Sequence, residues 1–225
     1  MKLKDSGIEW IGEVPEHWIA VRLKDIGSLY SDLSGKSGDD FNQENNPNNK
    51  GFIPFTNIAN NTYLDKEHLG TVVISEKENQ NQVRKNDLFF LMSSENFEDI
   101  GKTALLSDEV KETYLNSFCK GFRISYKNAD SYFINYLLFG KSYRHILSIE
   151  GKGFTRINLK MEKVNDFCIL IPPSKSEQTA IATYLDTKTQ TIDNITNNLK
   201  KQIETLKELR KTLINDVVTG KIKVI

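Results

Sequence analysis

Apolar residues recur every seven positions near the end of the chain, at Leu185, Ile192, Leu199, Leu206 and Leu213. Ile195 and Leu209 fall three residues after Ile192 and Leu206, the a-to-d offset of a heptad. Written as one helix from Ser174 to Thr219, the segment shows a narrow apolar seam on an otherwise polar rod. A lone helix cannot bury such a seam, which needs a second helix lying along it. Both ends of the rod are marked. Pro172-Pro173 stop the preceding segment, Ser174 and Glu177 fit an S-x-x-E capping box, and Gly220 offers a left-handed closing residue. At ~1.5 Å per residue the rod is roughly 65–70 Å long. Thr and Asn crowd Thr187–Asn198, so packing rather than propensity must keep that stretch helical. Lys188, Gln202 and Asp216 occupy d positions, where polar residues fix register at a cost in stability.

Upstream the pattern shortens. Apolar runs bounded by turn residues predict strands at Trp18–Leu23, Gly51–Phe55, Thr71–Ser75, Asp87–Met92, Lys102–Leu106, Gly121–Tyr126 and Asp166–Ile171. Ser131–Ile149 has helical spacing, broken at Gly140, and a short helical piece closes at Gly27. Asp32–Lys50 is rich in Asn, Asp, Gly and Ser and reads as an exposed, mobile loop. The fold class is α+β: a mixed α/β domain over residues 1–172, then the long helix region 173–225, built to form an antiparallel coiled coil with a second chain.

Composition narrows the classes. The chain is 38% apolar and 27% charged, ordinary for a globular protein. No apolar run approaches the ~18 residues of a membrane span, and Met1–Gly7 lacks the apolar core of a signal peptide. A cytoplasmic protein without membrane contact is expected. Cys119 and Cys168 sit in apolar strand-like surroundings and read as reduced, buried thiols. Three scattered histidines and no C-x-x-C leave no recognisable metal site.

The net charge of zero hides an asymmetry. Residues 1–119 carry 12 Lys/Arg against 20 Asp/Glu, whereas residues 120–163 carry 9 against 3. The basic stretch could meet a polyanion; equally, its charges could be spread over a solvated surface.

Several segments together resemble the specificity subunits of type I restriction-modification systems. At the junction these are Pro172-Pro173, Glu177-Gln178, Ile181-Ala182 and Leu185-Asp186, with Ile192-Asp193 and Ile195 beyond. Leu206–Ile214 followed by Val218–Ile222 is similar to the family's ending, and Trp10–Trp18 with Arg22–Gly27 to its beginning. Between them only Gly51–Phe55 and Asn86–Phe90 match the general pattern. The matched segments amount to roughly a third of the chain. A usual member has two target-recognition domains and two antiparallel helices; this chain has the residues for one of each. The resemblance therefore implies a half-length form whose missing helix comes from a second copy, giving a homodimer that reads a split palindromic site. A different half-subunit is the alternative partner. The resemblance also implies double-stranded DNA as ligand. It implies methyltransferase (modification) subunits that use S-adenosylmethionine, and a restriction/translocase subunit that uses ATP and magnesium. No cofactor and no catalysis are expected on this chain, where no methyltransferase, Walker A or nuclease motif is visible.

Base reading needs polar side chains on loops that reach a groove. The foremost candidates are Lys152, Thr155 and Arg156 in the glycine-flexible loop Gly151–Arg156. Ser94 and Asn96 follow the strand ending at Met92; Asn57 forms a third loop with Asn60-Asn61; Lys36 lies in the Asn-rich loop. Each could equally be an ordinary surface turn. Leu185, Ile192, Ile195, Leu199, Leu206, Leu209 and Leu213 are the expected dimer interface. A competing class is a coiled-coil scaffold whose α/β domain binds protein, which the acidic residues 1–119 would suit.

Overall fold

The computed structural model describes residues 2–31 and 33–224. The chain divides into two compact units, residues 1–181 and 182–225. The first unit opens with a hairpin of β1 (Leu3–Asp5) and β2 (Glu13–Pro15). β3 (Ile19–Arg22) runs into one helical turn, α1 (Leu23–Ile26), and then β4 (Gly27–Tyr30). β5 (Asn49–Ile53), α2 (Phe55–Asn60) and β6 (Gly70–Val73) follow. Next come β7 (Leu88–Leu91), β8 (Ser93–Ser94), β9 (Thr103–Leu105), β10 (Thr113–Leu115) and β11 (Cys119–Ile124). The order closes with α3 (Ser131–Phe139), α4 (Lys141–Ile149), β12 (Ile157–Asn158), α5 (Met161–Asn165), β13 (Cys168–Ile171) and α6 (Lys175–Val218).

β4, β11, β7 and β9 pair in that order as an antiparallel sheet. All four residues of β7, Leu88-Phe89-Phe90-Leu91, are fully buried. A strand covered on both faces needs a continuous apolar run rather than an alternation. Phe89 and Leu91 join Ile53, Ile58, Ala104 and Leu115 in one core, which links this sheet to α2 and to the sheet β10-β5-β6. Phe90 meets Phe122 edge-on at 6.1 Å instead. Each fully buried Phe contributes about 1.5–3 kcal/mol relative to an exposed one. Gly121 is required at the centre of β11, because a Cβ there would lie 2.0 Å from the Tyr30 ring. Tyr30 crosses the strand at that point and donates to Asp87 at 2.7 Å.

A strand forms at each predicted position, some shorter than expected and two, β5 and β11, displaced two residues upstream, and Gly140 divides α3 from α4 as expected. Three readings change. Asn57–Asn60 lies in a helix rather than a loop, because Phe55, Ile58 and Ala59 give α2 an apolar face against the core. β10 was not foreseen; it is a short strand held by parallel pairing with the distant β5. The Asn-rich segment from residue 33 is knitted by its own side chains: Gln43 donates to the Asp39 carbonyl at 2.6 Å and Asn49 to the Gln43 carbonyl at 2.7 Å. Asp32, its first residue, lies outside the described residues.

The entry to α6 also departs from the expected capping box. The Glu177 carboxylate accepts from Trp18 Nε1 at 3.3 Å and lies 2.9 Å from His17 Nε2, rather than folding back on Ser174. Ser174 Oγ pairs with Ser176 Oγ at 2.8 Å. Long-range donors out-compete the local one. Beside it, the fully buried Gln178 donates to the carbonyls of Pro172 at 2.7 Å and Asn128 at 2.9 Å, and accepts from Asp130 N–H at 2.9 Å. One side chain thus ties the end of β13, the approach to α3 and the first turn of α6 within the first unit.

The remainder of α6 makes up most of the second unit. At 44 residues the whole helix is ~66 Å long. Its threonines bond back one turn: Thr187 Oγ1 to Thr183 O, Thr189 to Leu185 O and Thr191 to Thr187 O, at 2.8–2.9 Å. That gives their hydroxyls partners in a stretch of weak propensity. Gly220, at φ +76°, closes the helix: its N–H reaches Val217 O at 3.1 Å and Lys221 N–H reaches Asp216 O at 2.8 Å. This is the paired-bond Schellman ending.

Replacing Gln178 by Ala removes the partner of three backbone groups, two of them in buried bonds. The expected loss is ~2–4 kcal/mol in urea-melt stability; a loss below ~0.5 kcal/mol would contradict the role assigned to it.

Candidate nucleic-acid interface

The short pair β8–β12 brings together two of the loops singled out by the sequence. Ser93 and Ser94 pair with Asn158 and Ile157, so the turn after Ser94 lies against the loop before Ile157. That loop is closed at its base by reciprocal bonds between Lys152 and Asn158, at 2.9 and 2.8 Å. Gly153 makes the tight return possible: its φ is +148°, and a Cβ there would overlap the Arg156 carbonyl at 1.9 Å. The loop therefore holds Lys152, Phe154, Thr155 and Arg156 out in solvent, with Phe154 wholly exposed.

Arg156 has side-chain contacts within the fold. Its guanidinium lies over the Phe118 ring, 4.6 Å from the centroid, and 3.7 Å from the Glu95 carboxylate. Stacking on an aromatic face leaves the edges of the guanidinium fork available to an acceptor pair. Phe55, Phe118, Ser93–Asn96 and Arg156 line one open pocket of about 270 Å³. Ser94 is buried; its Oγ accepts from Asn96 N–H at 3.0 Å and so shapes the turn rather than facing outward. Asn96 is exposed, and its Oδ1 caps the next turn through Glu98 N–H at 3.1 Å. The capping carbonyl thereby has a partner within the turn.

A supporting layer holds this turn from below. Arg144 on α4 donates to the carbonyls of Ile100 at 2.8 Å and Glu98 at 2.7 Å, and burial lowers its pKa. Lys102 pairs with Asp99 at 2.6 Å. The turn thus sits on fixed helix and strand rather than swinging free.

Two sequence candidates stand elsewhere. Asn57 is fully buried on α2: its amide donates to the carbonyls of Asp65 and His68, both at 2.8 Å, and its Oδ1 accepts from Asp65 N–H at 3.0 Å. Its polar atoms are occupied within the fold, so it presents nothing to a groove. Lys36 buries its side chain and pairs with Glu78 at 2.6 Å, holding that carboxyl down at about 2. Phe118 and Phe55 were not singled out beforehand, because an aromatic residue in an apolar run reads as core. Arg123, by contrast, is structural as its place in a strand suggests. It clamps the buried Asp87 through bonds of 2.8 and 2.6 Å, which raises its own pKa, and it covers the Tyr30 ring at 4.8 Å.

The family model of the type I restriction modification DNA specificity domain matches residues 15–205. The S subunit of a type I restriction-modification system from M. genitalium is 16% identical with a TM-score of 0.51, over 88% of this chain and 45% of that one. A chain from a structure concerned with complex assembly and conformational transition of the type I R-M system is 17% identical with a TM-score of 0.66, over 95% and 48%. The HsdS subunit from Thermoanaerobacter tengcongensis is 16% identical with a TM-score of 0.62, over 98% and 48%. At these identities the likeness is one of fold, and the chain spans about half the length of each solved chain. Because the family model covers the α/β unit and most of α6, the chain belongs to the type I restriction modification DNA specificity domain family.

Proposed function

We propose that this chain is the DNA-reading subunit of a type I restriction-modification complex, with residues 1–172 as the recognition domain and residues 173–225 as the pairing and spacing helix. The observation that supports reading is the meeting of Arg156 and Asn96 at one pocket through β8–β12, in a loop that also carries the exposed Lys152 and Thr155. Arginine can bond bidentately to guanine O6 and N7, and an asparagine Nδ2 can donate to adenine N7. Lys152 and Thr155 suit phosphate oxygens. Methylation and cleavage then fall to modification and restriction subunits, which bring S-adenosylmethionine, ATP and magnesium; this chain decides where they act.

Pairing follows from the seam. Ile192, Ile195, Leu199, Leu206, Leu209 and Leu213 are each 54–63% exposed, and Leu185 is half-buried. Covering these residues on two copies gains on the order of 10 kcal/mol, against about 4–15 kcal/mol for association. The balance is close enough that two substitutions should tip it. An antiparallel pair of helices related by a two-fold axis sets one reading domain towards each end, and the site read is then a split palindrome.

Light scattering of the purified chain at micromolar concentration should give the mass of two chains, and the double variant L199D/L206D the mass of one. A wild-type monomer would remove the homodimer. For reading, Arg156→Ala should cost ~1–3 kcal/mol at the cognate duplex and relax preference at one base pair. A uniform weakening, with the salt slope smaller by about one, would make Arg156 a phosphate contact instead. Unchanged affinity and an unchanged methylation pattern would take the loop out of the interface.

A further inference from the structure

The four-stranded sheet has a second basic feature at its other end. β7 and β11 are antiparallel, so Ser93–Asn96 and Phe118 lie at one end and Arg84–Asp87 and Arg123–Lys127 at the opposite end. The six residues of β11 separate them by ~20 Å. Here a pocket of about 430 Å³ is lined by Arg84, Lys85, Arg123, Lys127 and Lys175, all within the first unit. The carboxylates in its wall are Asp87 and Asp130, so five cations against two carboxylates leave an excess of three positive charges.

Neither carboxylate is available to neutralise that excess. Asp87 is held by Arg123, Tyr30 and Arg84 N–H. Asp130 accepts from Phe133 N–H at 3.0 Å and Thr179 Oγ1 at 2.8 Å. Among the described residues, the side chains of Arg84, Lys85, Lys127 and Lys175 have neither an ion pair nor a hydrogen bond. Acidic residues are plentiful nearby in sequence, at 20 in residues 1–119, yet none lies in this wall except Asp87. Like charges gathered around a concavity repel, and an anion relieves that repulsion.

We propose that this pocket is a phosphodiester site that grips the DNA backbone without regard to sequence, at the end of the sheet remote from the reading loops. The inference rests on the DNA-reading function proposed above. Charge spacing selects the ligand. One carboxylate of a protein partner would leave most of the excess unmatched. A DNA strand carries a charge about every 3.4 Å of axis, so successive phosphates of one strand can meet several of the cations around one pocket. The long, exposed lysines can follow the backbone, while Arg123 and Asp87 keep the wall rigid.

The test uses the full chain, a mixed-sequence duplex, and the triple variant K85A/K127A/K175A, whose three lysines are exposed and make no structural bond. The slope of log Kobs against log[KCl] should fall by about 2.7, three contacts at ~0.9 each. A slope that is unchanged while duplex binding persists overturns the pocket and leaves reading by the Arg156 loop intact. If the wild-type chain binds no duplex, DNA reading itself fails. Inorganic tripolyphosphate, followed by calorimetry, then decides the pocket: binding lost in the triple variant supports a phosphate site, and no wild-type binding overturns it. Lysine-dependent binding of poly-glutamate in preference to duplex overturns the phosphodiester assignment in favour of an acidic protein surface.

Discussion

Gln178 has no access to water, and every polar atom it carries must find a partner inside the protein. That constraint fixes three segments at once. The end of β13, the approach to α3 and the first turn of α6 can satisfy the amide only when all three are in place. Asp130, one of the groups bonded to Gln178, also caps α3 and accepts from Thr179. Glu177 next to it engages His17 and Trp18, drawing in the segment that leads to β3. The helix start and the closure of the α/β unit are therefore a single polar event.

On this frame the central sheet separates two kinds of surface. One end carries a shallow arrangement of aromatic faces and turn residues, with Arg156 laid on Phe118 and its turn braced from below by Arg144. Rigid placement of that kind suits discrimination between base edges, because a misplaced fork forfeits its paired bonds. The other end carries lysines around a pocket that have no side-chain partner among the described residues, an arrangement suited to long-range attraction rather than choice. The buried Asp87–Arg123–Tyr30 cluster lies at this second end. Burial and Asp87 raise the Tyr30 pKa, so the phenol remains a donor to Asp87 at neutral pH.

How much could be read from residues alone followed the range of the interactions. The heptad seam and the helix ending at Gly220 were legible because period and left-handed closure are local. β7 was legible because a strand buried on both faces must be apolar throughout. β10 was not, since its pairing with β5 joins residues some sixty positions apart. The capping box failed for the same reason: Ser174 and Glu177 have the right spacing, but His17 and Trp18 arrive from far away in the chain. At the candidate interface, Gly151–Arg156 announced itself through glycine and charge, whereas Asn57 and Asn96 look alike in sequence. Only the fold shows that one asparagine is sealed among the carbonyls of Asp65 and His68 and the other is exposed. Phe118 was hidden in an apolar run that burial elsewhere fully explains.

The proposed two-fold pair makes the sharpest demand on the DNA. The most direct measurement is to co-express the chain with its modification partner and map methylated adenines across a genome. Two copies of one reading domain on antiparallel helices require a palindrome split by a fixed, unread spacer. A non-palindromic bipartite site would contradict the homodimer and assign the second half to a different chain; the absence of any sequence-dependent methylation would contradict the reading function as a whole.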